Sequence, residues 1–98
     1  MAPSRTYRLS PLAEVDMEDV WTYSAGQWST VQAEVYTRDL LVAFSDLAAG
    51  RRIGAPITTR HGYLRLLVGS HAIFYRMTDT NVDIIRVLHQ SMDVRRQL

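Results

Sequence analysis

Tyr63–Leu88, YLRLLVGSHAIFYRMTDTNVDIIRVL, is the stretch whose reading decides the fold. It is rich in β-branched and aromatic residues, and its apolar positions recur with the period of two that extended chain requires. Gly69-Ser70 and Asp79-Thr80-Asn81 interrupt it twice, and both clusters favour tight hairpin turns. Tyr63–Val68, Ala72–Met77 and Val82–Leu88 are therefore expected as a three-stranded antiparallel meander. Upstream, Thr6–Leu9 has the alternation of one further short strand.

Between that strand and the meander the period lengthens to about 3.6. Ser10-Pro11 places a capping hydroxyl before a proline at the first helical position. Ala13, Met17, Val20, Ser24 and Trp28 then recur at three- and four-residue steps, as one face of a helix does. The chain breaks near Gly26, and Ser29 to Gln32 has the spacing of a capping box. Ala33, Tyr36, Leu40, Ala43 and Leu47 make a second stripe, which Gly50 terminates. So short a break folds the two helices into an antiparallel hairpin. Arg51–Gly62 carries Gly54, Pro56 and Gly62 without periodicity and reads as a connecting loop. After the meander, Ser91 is placed to cap a last helical turn through Arg96. The order of strand, helical hairpin and meander predicts an α+β fold, a hairpin lying on one face of a small antiparallel sheet.

At 98 residues the chain has room for one domain with one modest core, taken as residues 1–98. With no cysteine there is neither a disulfide framework nor a thiolate metal site. His61, His71 and His89 are scattered, so no metal and no cofactor is expected. Met1–Ser10 has two arginines and no apolar run, unlike a signal peptide. No stretch approaches the roughly 18 apolar residues of a membrane span, so a cytoplasmic protein without membrane contact is expected. The net charge of +1 conceals a segregation. Residues 1–49 sum to −4 and residues 50–98 to +5, and every basic side chain is an arginine. This suggests an acidic helical layer beside a basic sheet.

Arg65, Arg76 and Arg86 fall one on each meander strand. Either they share a basic face directed away from the helices, suited to phosphates or an acidic peptide, or they are separate solvent-side residues of a half-exposed sheet. His89, at the end of the last strand, has the general acid–base chemistry of imidazole, but a hydrogen-bonded structural role is commoner there. The acids Glu14, Asp16, Glu18 and Asp19 read as a solvated helix face. Trp21, Tyr23, Trp28 and Tyr36 read mostly as core, with one to spare for a partner. No nucleophile elbow, phosphate loop or usefully spaced carboxylate pair is present.

Taken together, Tyr7–Glu14 (YRLSPLAE), Asp19–Tyr23 (DVWTY), Arg52–Pro56 (RIGAP), Gly62–Arg65 (GYLR), Val68–Arg76 (VGSHAIFYR) and Ile85–Asp93 (IRVLHQSMD) resemble the ParE branch of the RelE/ParE toxin superfamily. That resemblance implies a non-catalytic toxin that binds DNA gyrase, makes no direct nucleic-acid contact, and assembles with a ParD-like antitoxin as a hetero-oligomer. Within it, Arg65, Arg76 and Arg86 are the expected antitoxin contacts. Met92, Asp93, Arg95 and Arg96 are the expected target contacts, on a tail whose polarity suggests that little core depends on it; the alternative is that Met92 and Val94 pack a final helical turn onto the sheet. The alternative is the RelE branch, a ribosome-dependent mRNA endonuclease, for which Arg65, Arg76 and His89 are the available residues.

Overall fold

A computed structural model describes residues 5–98, so Met1–Ser4 of the leading segment lie outside the described residues. Along the chain run β1 (Thr6–Leu9), α1 (Pro11–Gln27), α2 (Thr30–Ala49), β2 (Ala55–Pro56), β3 (Leu64–Val68), β4 (His71–Met77), β5 (Asn81–His89) and α3 (Val94–Gln97). The helix boundaries follow from local chemistry. Ser10 Oγ accepts from the Ala13 N–H at 3.0 Å, and the same hydroxyl donates to the Ile85 carbonyl at 2.7 Å. The cap thus also ties the start of α1 to β5. Ser29 Oγ accepts from the Gln32 N–H, and Gly50 closes α2 in the left-handed region that glycine tolerates (φ 77°).

The sheet order is β1-β5-β4-β3-β2. β3, β4 and β5 form the expected antiparallel meander, and β1 runs parallel to β5 from Thr6↔Asn81 to Leu9↔Ile84. Parallel pairing needs a long crossover, which the helical hairpin supplies. β2 corrects the reading of Arg51–Gly62 as pure loop, because Ala55 and Pro56 pair with Arg65 and Leu64. Two residues, one of them proline, give no periodic signal, and proline is acceptable only at such an edge. Gly54, just before β2, donates its N–H to the Tyr75 hydroxyl at 2.7 Å. A Cβ at that position would overlap the Arg65 carbonyl.

One face of the sheet is covered by the hairpin. Ala13, Met17 and Val20 of α1, and Leu40, Ala43, Phe44 and Leu47 of α2, meet Ile73, Tyr75, Val82, Ile84 and Val87. The fully buried Ala13, Ala33 and Ala43 bring helices and sheet too close for an indole. This overturns the expectation that the hairpin aromatics are mostly core. Trp21, Tyr23 and Trp28 are exposed, and only Tyr36 is partly buried.

The opposite face is not bare. Ala72, Phe74 and Leu88 form a second apolar cluster beneath Ile57, Val94 and Leu98. β4 is therefore buried on both sides, which is why Ala72–Tyr75 reads as an unbroken apolar run. Two further readings of the tail are corrected here. Asp93, not Ser91, caps α3, accepting from the Arg95 N–H at 3.0 Å, while Ser91 bonds the His89 ring. The tail also has apolar work to do, because Val94 and Leu98 cover the second cluster and Arg60 Nη1 holds the Leu98 carbonyl at 2.6 Å. Deleting Arg95–Leu98 is expected to cost about 2 kcal/mol, mostly the exposed apolar surface. In thermal unfolding that is a melting temperature lower by several degrees; an unchanged one would show the cover to be dispensable.

Candidate functional site

Asp16 corrects the reading of α1's acids as a uniformly solvated face. Its side chain is 9% exposed and meets Arg86, itself 14% exposed, in a two-pronged pair. Nε donates to Oδ2 at 2.8 Å and Nη2 to Oδ1 at 2.9 Å, and the backbone N–H of Val87 adds a third donor to Oδ2 at 2.9 Å. The topology explains the arrangement. β1 stops opposite Ile84, so the edge of β5 beyond it has no strand neighbour, and Asp16 supplies the missing acceptor. A bulge assists, since Phe74 faces Arg86 while Tyr75 faces Ile84, leaving Ile85 as the extra residue. The pair with Asp16 raises the Arg86 guanidinium further above its ordinary value. Arg86 is therefore a bridge between α1, β5 and Gln97, whose carbonyl it also reaches, rather than a free member of an antitoxin-facing trio.

The other two arginines stand exposed on the outer face. Arg65 lies opposite Phe74, and Arg76 stacks over the Tyr63 ring at 5.6 Å. Arg60 covers the same ring at 5.0 Å, a residue missed in a loop that offered no signal beyond an arginine three positions before a tyrosine. None of Arg60, Arg65 and Arg76 forms an ion pair with a described acid. Arg95 and Arg96 of α3 add to this basic side, with Arg95 only loosely paired to Asp93 at 3.6 Å across exposed surface. Glu14, Glu18, Asp19, Glu34 and Asp39 are exposed on the helical hairpin. The charge segregation of the sequence is thus a segregation of faces.

A third feature lies where α1 passes the end of β5. A cleft of about 440 Å³ is lined by Asp16, Asp19, Val20 and Tyr23 on one side and by His71, Val87, His89, Ser91 and Met92 on the other. Both histidines are fixed through Nδ1. Tyr36 Oη lies 2.6 Å from His71 Nδ1, accepts from the Ser70 N–H at 3.0 Å and lies 3.4 Å from the Val68 carbonyl. Gly69 is required beside it, because its φ is 56° and a Cβ would lie 2.6 Å from the Tyr36 ring. His89 Nδ1 accepts from the Ser91 N–H at 3.1 Å. The two imidazoles meet edge to face at 5.4 Å. Burial, then the proximity of His89, push the His71 pKa below 6.5, against a smaller opposing effect of Asp16.

For the endonuclease residues the outcome is divided. Arg65 and His89 line one shallow groove of about 250 Å³, whereas Arg76 lies outside it on Tyr63. Of the target candidates, Met92 is 47% exposed at the cleft, Asp93 serves α3 as its cap, and Arg95 and Arg96 face solvent.

This arrangement defines a small α+β protein built to present two oppositely charged faces. Residues 7–94 match the family of the ParE toxin of the type II toxin–antitoxin system parDE. The chain is 45% identical over 97 residues to Toxin ParE1 of Mycobacterium tuberculosis, covering 97% of this chain and 99% of that one. It is 44% identical over 95 residues to Toxin ParE1 of Caulobacter vibrioides, covering 96% and 98%. A chain of the chromosomal ParDE system from P. aeruginosa shares the fold with a TM-score of 0.77 at 14% identity, over 88% of this chain and 96% of that one. A chain of the RelBE2 toxin–antitoxin complex from Mycobacterium tuberculosis follows at 0.63 and 27%, over 90% and 100%. The chain belongs to the ParE toxin family.

Replacing Asp16 by alanine leaves Arg86 buried without its partner and the Val87 N–H unsatisfied, and a loss of about 3–5 kcal/mol in denaturant unfolding is expected. His71 gives a pH signature. Its native pKa lies below the unfolded value of about 6.5, so the unfolded chain binds the extra proton first. Its contribution is complete above about pH 6.5 and is lost as pH falls toward the native pKa. Stability measured from about pH 7 to 5 should decline less in His71→Gln than in the unaltered chain.

Proposed function

We propose that this toxin arrests growth by binding DNA gyrase in the cytoplasm, without catalysis, and is neutralised by a ParD-like antitoxin in a hetero-oligomer. The observation that carries the reading is the outer face on which Arg60, Arg65 and Arg76 have no acidic partner among the described residues. Such a face attracts acidic residues of an incoming peptide, speeding association and fixing its register. β2 pairs only with Leu64 and Arg65, which leaves the edge of β3 from Leu66 to Val68 for an added strand. The antitoxin segment in this reading runs along that edge and the outer faces of the hairpin. The solvent-facing Met92, Arg95 and Arg96 contact the target, and Asp93 holds their backbone in place. Near-full-length similarity to two proteins named Toxin ParE1 supports the choice of branch.

Expression of the chain alone should arrest growth, and co-expression with the neighbouring antitoxin should restore it. The purified protein should inhibit gyrase supercoiling and leave ribosome-bound mRNA intact. Reversing the charge of Arg65 and Arg76 together should slow antitoxin association by roughly tenfold at low salt, less at high salt. Codon-specific mRNA cleavage that disappears in Arg65→Ala or His89→Ala would instead assign the shared groove of Arg65 and His89 to an endonuclease.

A further inference from the structure

We propose that the cleft between α1 and the end of β5 is a binding site for a cationic side chain, arginine or lysine, presented by a partner protein. It borders the arginine-rich face, sharing His89 with the groove that Arg65 lines, and the inference does not depend on which partner that face receives. The cleft, about 440 Å³, is of a size to admit one long side chain with its attached backbone. Val20 and Val87 are buried at its floor, and Met92 and the exposed ring of Tyr23 stand at its rim.

Charge selects the occupant. Both oxygens of Asp16 are taken by Arg86 and the Val87 N–H, so that pair is internally neutral. Asp19 lines the same cleft and forms no ion pair with a described residue. The uncompensated charge in the cleft is therefore one carboxylate. An acidic side chain would meet it as a like charge, and a purely apolar one would strip its water without replacing it. A cationic head on a methylene stem satisfies every wall at once. The stem lies along Val20 and Met92, and the head meets Asp19 with the Tyr23 ring beside it.

His71 sets a condition on this binding. Asp16, Asp19 and Tyr23 of α1 and His89 of β5 line the cleft with it, Tyr36 of α2 meets its Nδ1, and Arg65 of β3 lies in the groove on the other side of His89. Burial favours the neutral His71 ring, which adds no charge to the cleft. A second proton on His71 places a positive charge against the incoming cation, so acidification opposes binding.

The test is a titration of the full chain with N-acetyl-arginine N-methylamide, followed by NMR of the His71, His89 and Tyr23 rings at about pH 7.5. The glutamate and leucine analogues serve as comparisons. Saturable shifts are expected with the arginine probe, weakened about tenfold by Asp19→Asn and about threefold by Tyr23→Leu. Lowering the pH to about 5.5 should weaken binding about threefold. Asp19 and Tyr23 are exposed, so these variants should keep the native melting temperature, which is checked alongside. Tighter binding of the glutamate probe, equal binding of the leucine probe, indifference to Asp19→Asn, or no saturable shift would each overturn the proposal.

Discussion

The carboxylate of Asp16 is the contact on which the rest of the arrangement depends. It sits where β1 has ended and β5 has not, and it receives one backbone N–H and two guanidinium N–H groups. Those three bonds set α1 against β5, and through Arg86 reach the carbonyl of Gln97 in α3. A buried pair of this kind gives little net stability over a well-fitted apolar contact, but losing one member is costly. Its value here is geometric. It fixes the separation between α1 and the end of β5, and the cleft with the two histidines lies in that space.

The sheet then does two unlike jobs with its two faces. Toward the helices it packs large apolar side chains against alanine-lined helices, which leaves the tryptophans outside. Away from the helices it carries only a small apolar cluster under α3, ringed by arginines. The electrostatic polarity of the molecule follows from this division, since acids collect on the exposed hairpin and free guanidinium groups on the far side. A protein with such a field can engage two partners of different charge without either having to displace the other.

Much of this was legible in the order of residues. The serine caps, the glycine stop at Gly50 and the change of period from 3.6 to 2 sufficed for the helical hairpin and the meander. The parallel pairing of β1 with β5 was not, because strand alternation carries no information on partner or direction. Asp16 was hidden for a related reason. It differs from Glu14 and Glu18 only in its azimuth around α1 and in what waits opposite, and a one-dimensional charge count treats the three alike. Arg86 shares the alternation of Arg65 but stands at a bulge, which periodicity cannot show. The apolar role of the tail was only half legible, in Val94 and not in Leu98, because these two residues do the covering within an otherwise polar segment.

The pairing of β1 with β5 also bears on when the fold can exist during synthesis. Thr6 and Asn81 are 75 residues apart, yet they are neighbours in the sheet. β5 is the last long element made, and β1, β4 and α1 all dock against it. Until it has left the ribosome, the helical hairpin has only part of a sheet to cover, and the buried face of Met17, Val20 and Phe44 lacks Val82, Ile84 and Val87. Closing so long a loop also slows the search for native contacts. A nascent chain therefore has neither the arginine-ringed face nor the cleft until β5 has been made, and the interval before harm can begin is written into the strand order.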